Sequence, residues 1–262
     1  MSAAARSPGD HLRAWRQRRR MSQLDLALEA EISQRHLSFI ESGRSQPSRS
    51  MLLHLADRLD IPLRDRNPIL LSAGYAPVFA ERALDDPALK PARQAVDLVL
   101  KAHEPFPALA IDRHWNLVAA NAAVAPLLEG VEDASLVSGR INVLRLSLHP
   151  RGLAPGILNL GEWRAHLIDR LRRDIIMKAD DALVMLLKEL QGFPAPDAAH
   201  DEDRRADYAG IAVPLRLRTK AGTLSFISTT TVFGTPTDVT LSELAIETFF
   251  PADEETARLL RR

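Results

Sequence analysis

Apolar positions in the first seventy-odd residues recur at helical spacing in short, separately capped runs, and Ser22 to Pro47 is the sharpest of them. Ser22 followed by Asp25 is a capping signature, and Leu24, Ala27 and Leu28 then fall on one face of a short predicted helix. Ala30-Glu31-Ile32 makes the turn. Ser33 caps a second helix with Leu37 and Ile40 inward, and Gly43 ends it where a left-handed residue is needed. The opposite face of this second helix carries Gln34, Arg35, Ser38 and Phe39. Around the pair, the spacing predicts a helix from Asp10 to Arg19 with Leu12 and Trp15 inward. Another runs from Ser50 to Leu59, burying Leu52, Leu55 and Leu59, and a fifth from Pro62 through Leu71. Residues 1–76 therefore read as an all-α bundle.

The pattern changes twice after that. Pro77, Pro87 and Pro91 interrupt residues 77–103, and Asp85-Asp86-Pro87 reads as a turn before an amphipathic helix from Pro91 to His103. Val96, Val99 and Leu100 share one side of this helix, which connects two domains or begins the second. From residue 104 the chain is mixed. PALAIDRHWNLVAAN predicts two strands around an Asp112-Arg113-His114 turn, then a helix from Asn121 through Leu128. Residues 156–190 read as helical and Asp197 to Asp207 as a polar loop. Three β-like runs follow, Ile211–Thr219, Thr223–Phe233 and Leu244–Phe250, separated by short turns. Alternation puts Leu224, Phe226, Ser228 and Thr230 on one sheet face. Residues 104–262 are thus expected to form an α+β domain, an antiparallel sheet with helices packed on it.

A length of 262 residues suits one large domain or two ordinary ones, and the formal net charge of zero conceals an asymmetry. Residues 1–66 hold 12 Lys or Arg against 8 Asp or Glu, with Arg13, Arg16, Arg18, Arg19 and Arg20 crowded together. A positive head on a neutral chain fits phosphate neutralisation by one module, as well as a solvated helix face. The absence of cysteine excludes disulfides and thiolate metal sites. No apolar stretch of membrane-spanning length occurs, and MSAAARSPGD lacks the apolar core of a secretory signal, so a cytoplasmic location is expected.

Enzyme chemistry finds little support. Glu162 and His166 are four apart on a helix, but no further ligand stands at matching spacing. His200-Asp201-Glu202-Asp203 is metal-friendly by composition only and reads as a solvated loop. A nucleophile elbow, a phosphate-cradling Gly-rich loop and GxGxxG are all missing. No catalytic residue, metal or cofactor is expected.

With these residues in view, LRAWRQRRRMSQLDLALEAEISQRHLSFIESGRSQPS resembles the Cro/C1-type (XRE) helix-turn-helix family over the full motif. The resemblance implies a phosphate contact for Gln23 and base reading for Gln34, Arg35 and Ser38. It also implies a structural pair between Arg16 and Glu41. Gln and Arg suit base reading because each can make paired hydrogen bonds to a base edge in the major groove. Ser33 and Arg44 flank the same surface, Arg44 placed for phosphate. His36 is either a phosphate contact or a surface residue, and Phe39 either touches a thymine methyl or packs.

SQRHLSFIESGRSQPSR followed by a longer C-terminal domain resembles the MmyB-like regulators, whose ligand-binding domain has a PAS-like fold. Strand, turn, strand and an Asn opening a helix are present from Ala108 to Leu128, with Trp115 and Asn121 at characteristic positions. Some members accommodate a fatty-acid-like ligand, which implies a small apolar effector. Phe106, Trp115, Asn121, Phe226 and Ser228 are the candidate lining residues, with core packing or, for Asn121, helix capping as the competing role. The expectation is a sequence-specific transcriptional regulator that binds double-stranded DNA as a homodimer. Residues 77–103 would act as the lever from a sensing domain. The alternative is a C-terminal domain that only dimerises or binds a partner protein.

Overall fold

In the computed structural model, which describes residues 6–194 and 212–261, the first unit is built from five capped helices. They are α1 (Pro8–Arg18), α2 (Gln23–Glu29), α3 (Gln34–Glu41), α4 (Arg49–Arg58) and α5 (Leu63–Ser72). Ser7 and Ser22 form capping boxes with Asp10 and Asp25, and the Ser33 and Ser48 side chains accept the amides of His36 and Met51. Leu12, Leu26, Leu37, Ile40, Leu52, Leu55 and Leu59 close the core at 1% exposure or less. Sequence spacing alone had favoured Leu24 and Leu28 for the buried face of α2. Both are exposed; Ala27 is buried as expected, with Leu26 and Ala30 in place of the two leucines. Two stripes at i,i+4 spacing compete on this short helix, and the partner helices select between them.

α1 crosses α3 at Gly9, where a Cβ would lie 2.4 Å from the Ile40 carbonyl oxygen. Only glycine permits that approach.

The second unit, Leu84–Gly234 with Glu243–Arg262, is an antiparallel sheet of order β2-β1-β5-β4-β3 with helices around it. Its first elements are α6 (Lys90–Ala102), β1 (Ala108–Ile111), β2 (Leu117–Ala120) and α7 (Val143–Leu148). α8 (Leu160–Lys178), α9 (Asp181–Gly192), β3 (Leu215–Thr219) and β4 (Gly222–Val232) follow. After β4 the chain leaves the sheet for a single turn, α10 (Val239–Ser242), and returns as β5 (Ala245–Pro251) and α11 (Glu254–Leu260).

Alternation along the strands sorts this core into two layers. Ala108, Ala110 and Ile246 face Val96 and Leu100 of α6. Val99, expected on the same side, is 41% exposed, because the contact stripe on α6 is narrow. On the other face Leu215, Leu217, Leu224 and Phe226 join Trp115, Leu144, Trp163, Leu171 and Leu183. The stretch after Asn121 is a 3-10 helix, Ala122–Leu128, and contains Pro126, which cannot donate an α-helical hydrogen bond. Asn121 does not cap it. Its side-chain oxygen accepts the Ala108 amide at 3.1 Å, and its amide donates to the carbonyls of Leu100 (3.1 Å) and Phe106 (2.8 Å).

The expected connecting region 77–103 is not a separate piece. Residues through Ala83 belong to the first unit, whereas α6 packs on the sheet of the second. The first unit is completed by Thr235–Ser242, arriving from far along the chain. Val239 is fully buried there and its amide donates to the Ala80 carbonyl at 2.8 Å. Arg82 donates to Asp238 at 2.8 Å, and the Thr240 hydroxyl donates to the Arg82 carbonyl. Among the described residues no helix is long and apolar enough to cross a membrane. The predicted loop Asp197–Asp207 and the His200–Asp203 cluster lie outside the described residues.

Candidate nucleic-acid interface and internal cavity

α3 is the second helix of the predicted pair, anchored by Leu37 and Ile40 at 0% and 1% exposure. Its remaining face carries the candidates. Ser33, Gln34, Arg35 and Arg44 are exposed, and His36, Ser38 and Phe39 are half-buried. The guanidinium groups of Arg35 and Arg44 lie 5.3 and 6.0 Å from the Phe39 ring centre. That ring is therefore a platform which holds two cations at the exposed surface, a packing role alongside the two arginines.

Behind this surface sits a buried ionic centre. Arg16 grips Glu41 with two bonds, Nε to Oε1 at 2.7 Å and Nη2 to Oε2 at 2.8 Å. The Gln23 amide donates to Glu41 Oε2 at 2.8 Å, and Arg13 donates to the Glu41 carbonyl at 2.7 Å. Burial opposes ionisation of Glu41, but the hydrogen bonds from Arg16 and Gln23 and the nearby positive charges outweigh it, and its pKa is lowered. The pairing of Arg16 with Glu41 implied by the family resemblance is present. Gln23, assigned to phosphate by that resemblance, has one amide hydrogen committed to Glu41.

The arginine cluster of α1 is less available than its composition suggests. Arg13 and Arg16 bond inward, and Arg19 donates to the carbonyls of Leu59 (2.9 Å) and Asp60 (2.7 Å) beyond the end of α4. Arg18 and Arg20 are exposed.

In the second unit a cavity of about 110 Å³ lies between the sheet and α7–α8. Its walls are aliphatic and aromatic, with Leu109, Trp115, Leu127, Leu144, Trp163 and Phe249 among them. Trp115 reaches it from a left-handed backbone conformation (φ 65°) in the β1–β2 turn, where Asp112 accepts the amides of His114 and Asn116. Both indole N–H groups are already used: Trp115 donates to Asp174 and Trp163 to the Ser147 hydroxyl.

One end of the cavity is polar, formed by Arg170, Ser228 and Glu247. Arg170 Nη1 donates to Glu247 Oε2 at 2.9 Å, and Nη2 donates to Glu247 Oε1 and, at 2.7 Å, to the Thr230 hydroxyl. Thr230 in turn donates to Glu247 Oε1 at 2.9 Å. The guanidinium also lies 4.6 Å from the Trp115 ring centre. His166 stacks on Trp163, and burial together with Arg170 and Arg173 lowers its pKa, favouring the neutral imidazole.

Of the five candidate lining residues, Trp115 and Ser228 stand on the cavity wall. Phe226 is fully enclosed in the core, edge-on to Phe249. Phe106 lies against His103 and Arg261, and Asn121 ties β1 to α6 as described. Sequence reasoning missed Arg170 and Glu247. Their one signal is a glutamate inside the apolar run AIETFF, since a charge in such a strand requires a partner.

Among the described residues no group of His, Asp and Glu is arranged to hold a metal ion. Glu162 accepts a hydrogen bond from the Asn159 amide.

Residues 12–65 match the family described as helix-turn-helix, and residues 92–262 match the MmyB-like transcription regulator ligand binding domain. No curated protein matches the chain.

Proposed function

The chain belongs to the MmyB-like transcription regulators, DNA-binding proteins with a ligand-binding domain, and from that premise we propose a one-component regulator that senses a small apolar effector. It binds double-stranded DNA as a homodimer in the cytoplasm, with the two α3 helices in successive major grooves roughly 34 Å apart. The observation that carries this reading is the division of α3. Leu37 and Ile40 fix the helix, while Gln34 and Arg35 are exposed on its first turn.

Gln34, Arg35 and Ser38 read bases. Gln23, Ser33, His36 and Arg44 meet phosphates, Gln23 through its second amide hydrogen. Phosphate contacts set register and salt dependence, and base contacts set sequence preference. The PAS-like second domain holds the effector in its apolar cavity, which at about 110 Å³ is smaller than the usual ligand pocket and so suits only a small molecule. An effector alters DNA affinity only as far as it prefers one state of the protein.

Duplexes selected from a random library supply matched and single-mismatch sites for the test. Arg35→Ala is expected to weaken the matched site by about 1–3 kcal/mol and to relax preference at one base pair. Arg44→Ala is expected to weaken all duplexes alike and to lower the salt slope by about one. Equal losses for Arg35→Ala on matched and mismatched duplexes would overturn its assignment as a base reader.

A further inference from the structure

Resting on the reading of the cavity as an effector site, we propose that this chain selects an uncharged effector. Its chemistry is a hydroxyl donor on an apolar body of about six heavy atoms, not a long-chain carboxylate. The size follows from the space. A cavity of about 110 Å³ is smaller than one of about 150 Å³ that takes up benzene, so six heavy atoms is its upper bound.

The charge follows from the polar end. Arg170 is the one cation among the lining residues and Glu247 the one anion, and they neutralise each other. Glu247 is 5% exposed in its side chain and held from two sides, so it does not vacate its place cheaply. An incoming carboxylate would sit beside a fixed carboxylate, which like-charge repulsion opposes.

A hydroxyl meets no such penalty. A carboxylate offers about four acceptor positions, and Arg170 and Thr230 occupy three on Glu247, leaving Oε2 room for one more donor. Ser228 adds a hydroxyl at the same end, for which no side-chain partner exists among the described residues. The ligand O–H thus donates to Glu247 and accepts from Ser228. The indole N–H groups compete for neither, being bonded to Asp174 and Ser147.

The full chain is titrated with benzene, 1-pentanol, butanoate and 1-methoxybutane, followed by tryptophan fluorescence of Trp115 and Trp163 and by calorimetry. The expected result at pH 8 is 1-pentanol at least tenfold tighter than butanoate, with 1-methoxybutane, which has no O–H, weaker than the alcohol. Glu247→Gln leaves Arg170 without its counter-charge and is expected to invert the order, butanoate overtaking 1-pentanol. Butanoate binding as tightly as 1-pentanol to the unaltered protein overturns the proposal, and so does an ether equal to the alcohol. These comparisons need only the unaltered chain, so they stand even if Glu247→Gln does not fold. Benzene separates the two levels. Saturable benzene binding with a preference for butanoate sinks only the uncharged effector, whereas failure of all four probes sinks the apolar effector site as well.

Discussion

Glu41→Ala is expected to destabilise the first unit by about 3–5 kcal/mol, the usual cost of removing one partner from a buried ion pair. The Glu41 side chain is wholly enclosed and that of Arg16 is 11% exposed, so the stranded guanidinium gains little water. The Gln23 amide also loses its acceptor, and Arg13 loses the nearby carboxylate while keeping its bond to the backbone carbonyl. Hydrogen exchange resolves the effect by location: amides of α1–α3 should lose protection while those of β4 and β5 keep theirs. Acid should act through the same group. Glu41 is held below its ordinary pKa, so the unfolded chain takes up its proton first. The stability contributed by Glu41 is complete above the unfolded value of about 4.3 and is lost as pH falls through the lower folded value. Glu41→Gln should flatten that part of the acid response. Unchanged α1–α3 protection in Glu41→Ala would refute a structural role for the pair.

Phe226→Ala is expected to cost the second unit about 3–5 kcal/mol, the range for removing a fully buried phenylalanine. Phe226 has no exposed surface and stands at 6.0 Å, edge-on, from Phe249. The loss should appear in denaturant unfolding and in amide exchange of β3–β5, leaving α3 protection intact. Ser228→Ala, two residues along the same strand, should change stability by only about 0.5 kcal/mol or less, because that hydroxyl borders a cavity. The pair of variants thus separates core from site on one strand face. A loss below about 1 kcal/mol for Phe226→Ala would place it with Ser228 on the effector side.

The helical head was legible in the sequence because its signals are local. Ser22 with Asp25, Ser33, and Gly43 at φ 73° each act within one turn of chain, and Leu37 and Ile40 had no competing stripe. Where two stripes competed, as on α2, spacing could not choose between Leu24 with Leu28 and Leu26 with Ala30. The five-stranded sheet was legible from alternation. Its strand order was not, since β1 pairs with β5 across more than half the chain. The cavity suffered most from the same distance effect. Arg170 and Glu247 are 77 residues apart, and nothing near either residue points to the other. Asn121, a ligand candidate by motif position, and Phe106, a candidate with core packing as its competing role, both have structural surroundings.

The return of Thr235–Ser242 to the first unit bears on how this regulator can be re-engineered. A head severed after Ala83 leaves Arg82 without Asp238 and the Ala80 carbonyl without its donor from Val239. Transplanting it onto a foreign sensor therefore takes two grafts, the N-terminal helices and the excursion between β4 and β5. The host needs an antiparallel pair like Val232 opposite Ala245 to carry the second.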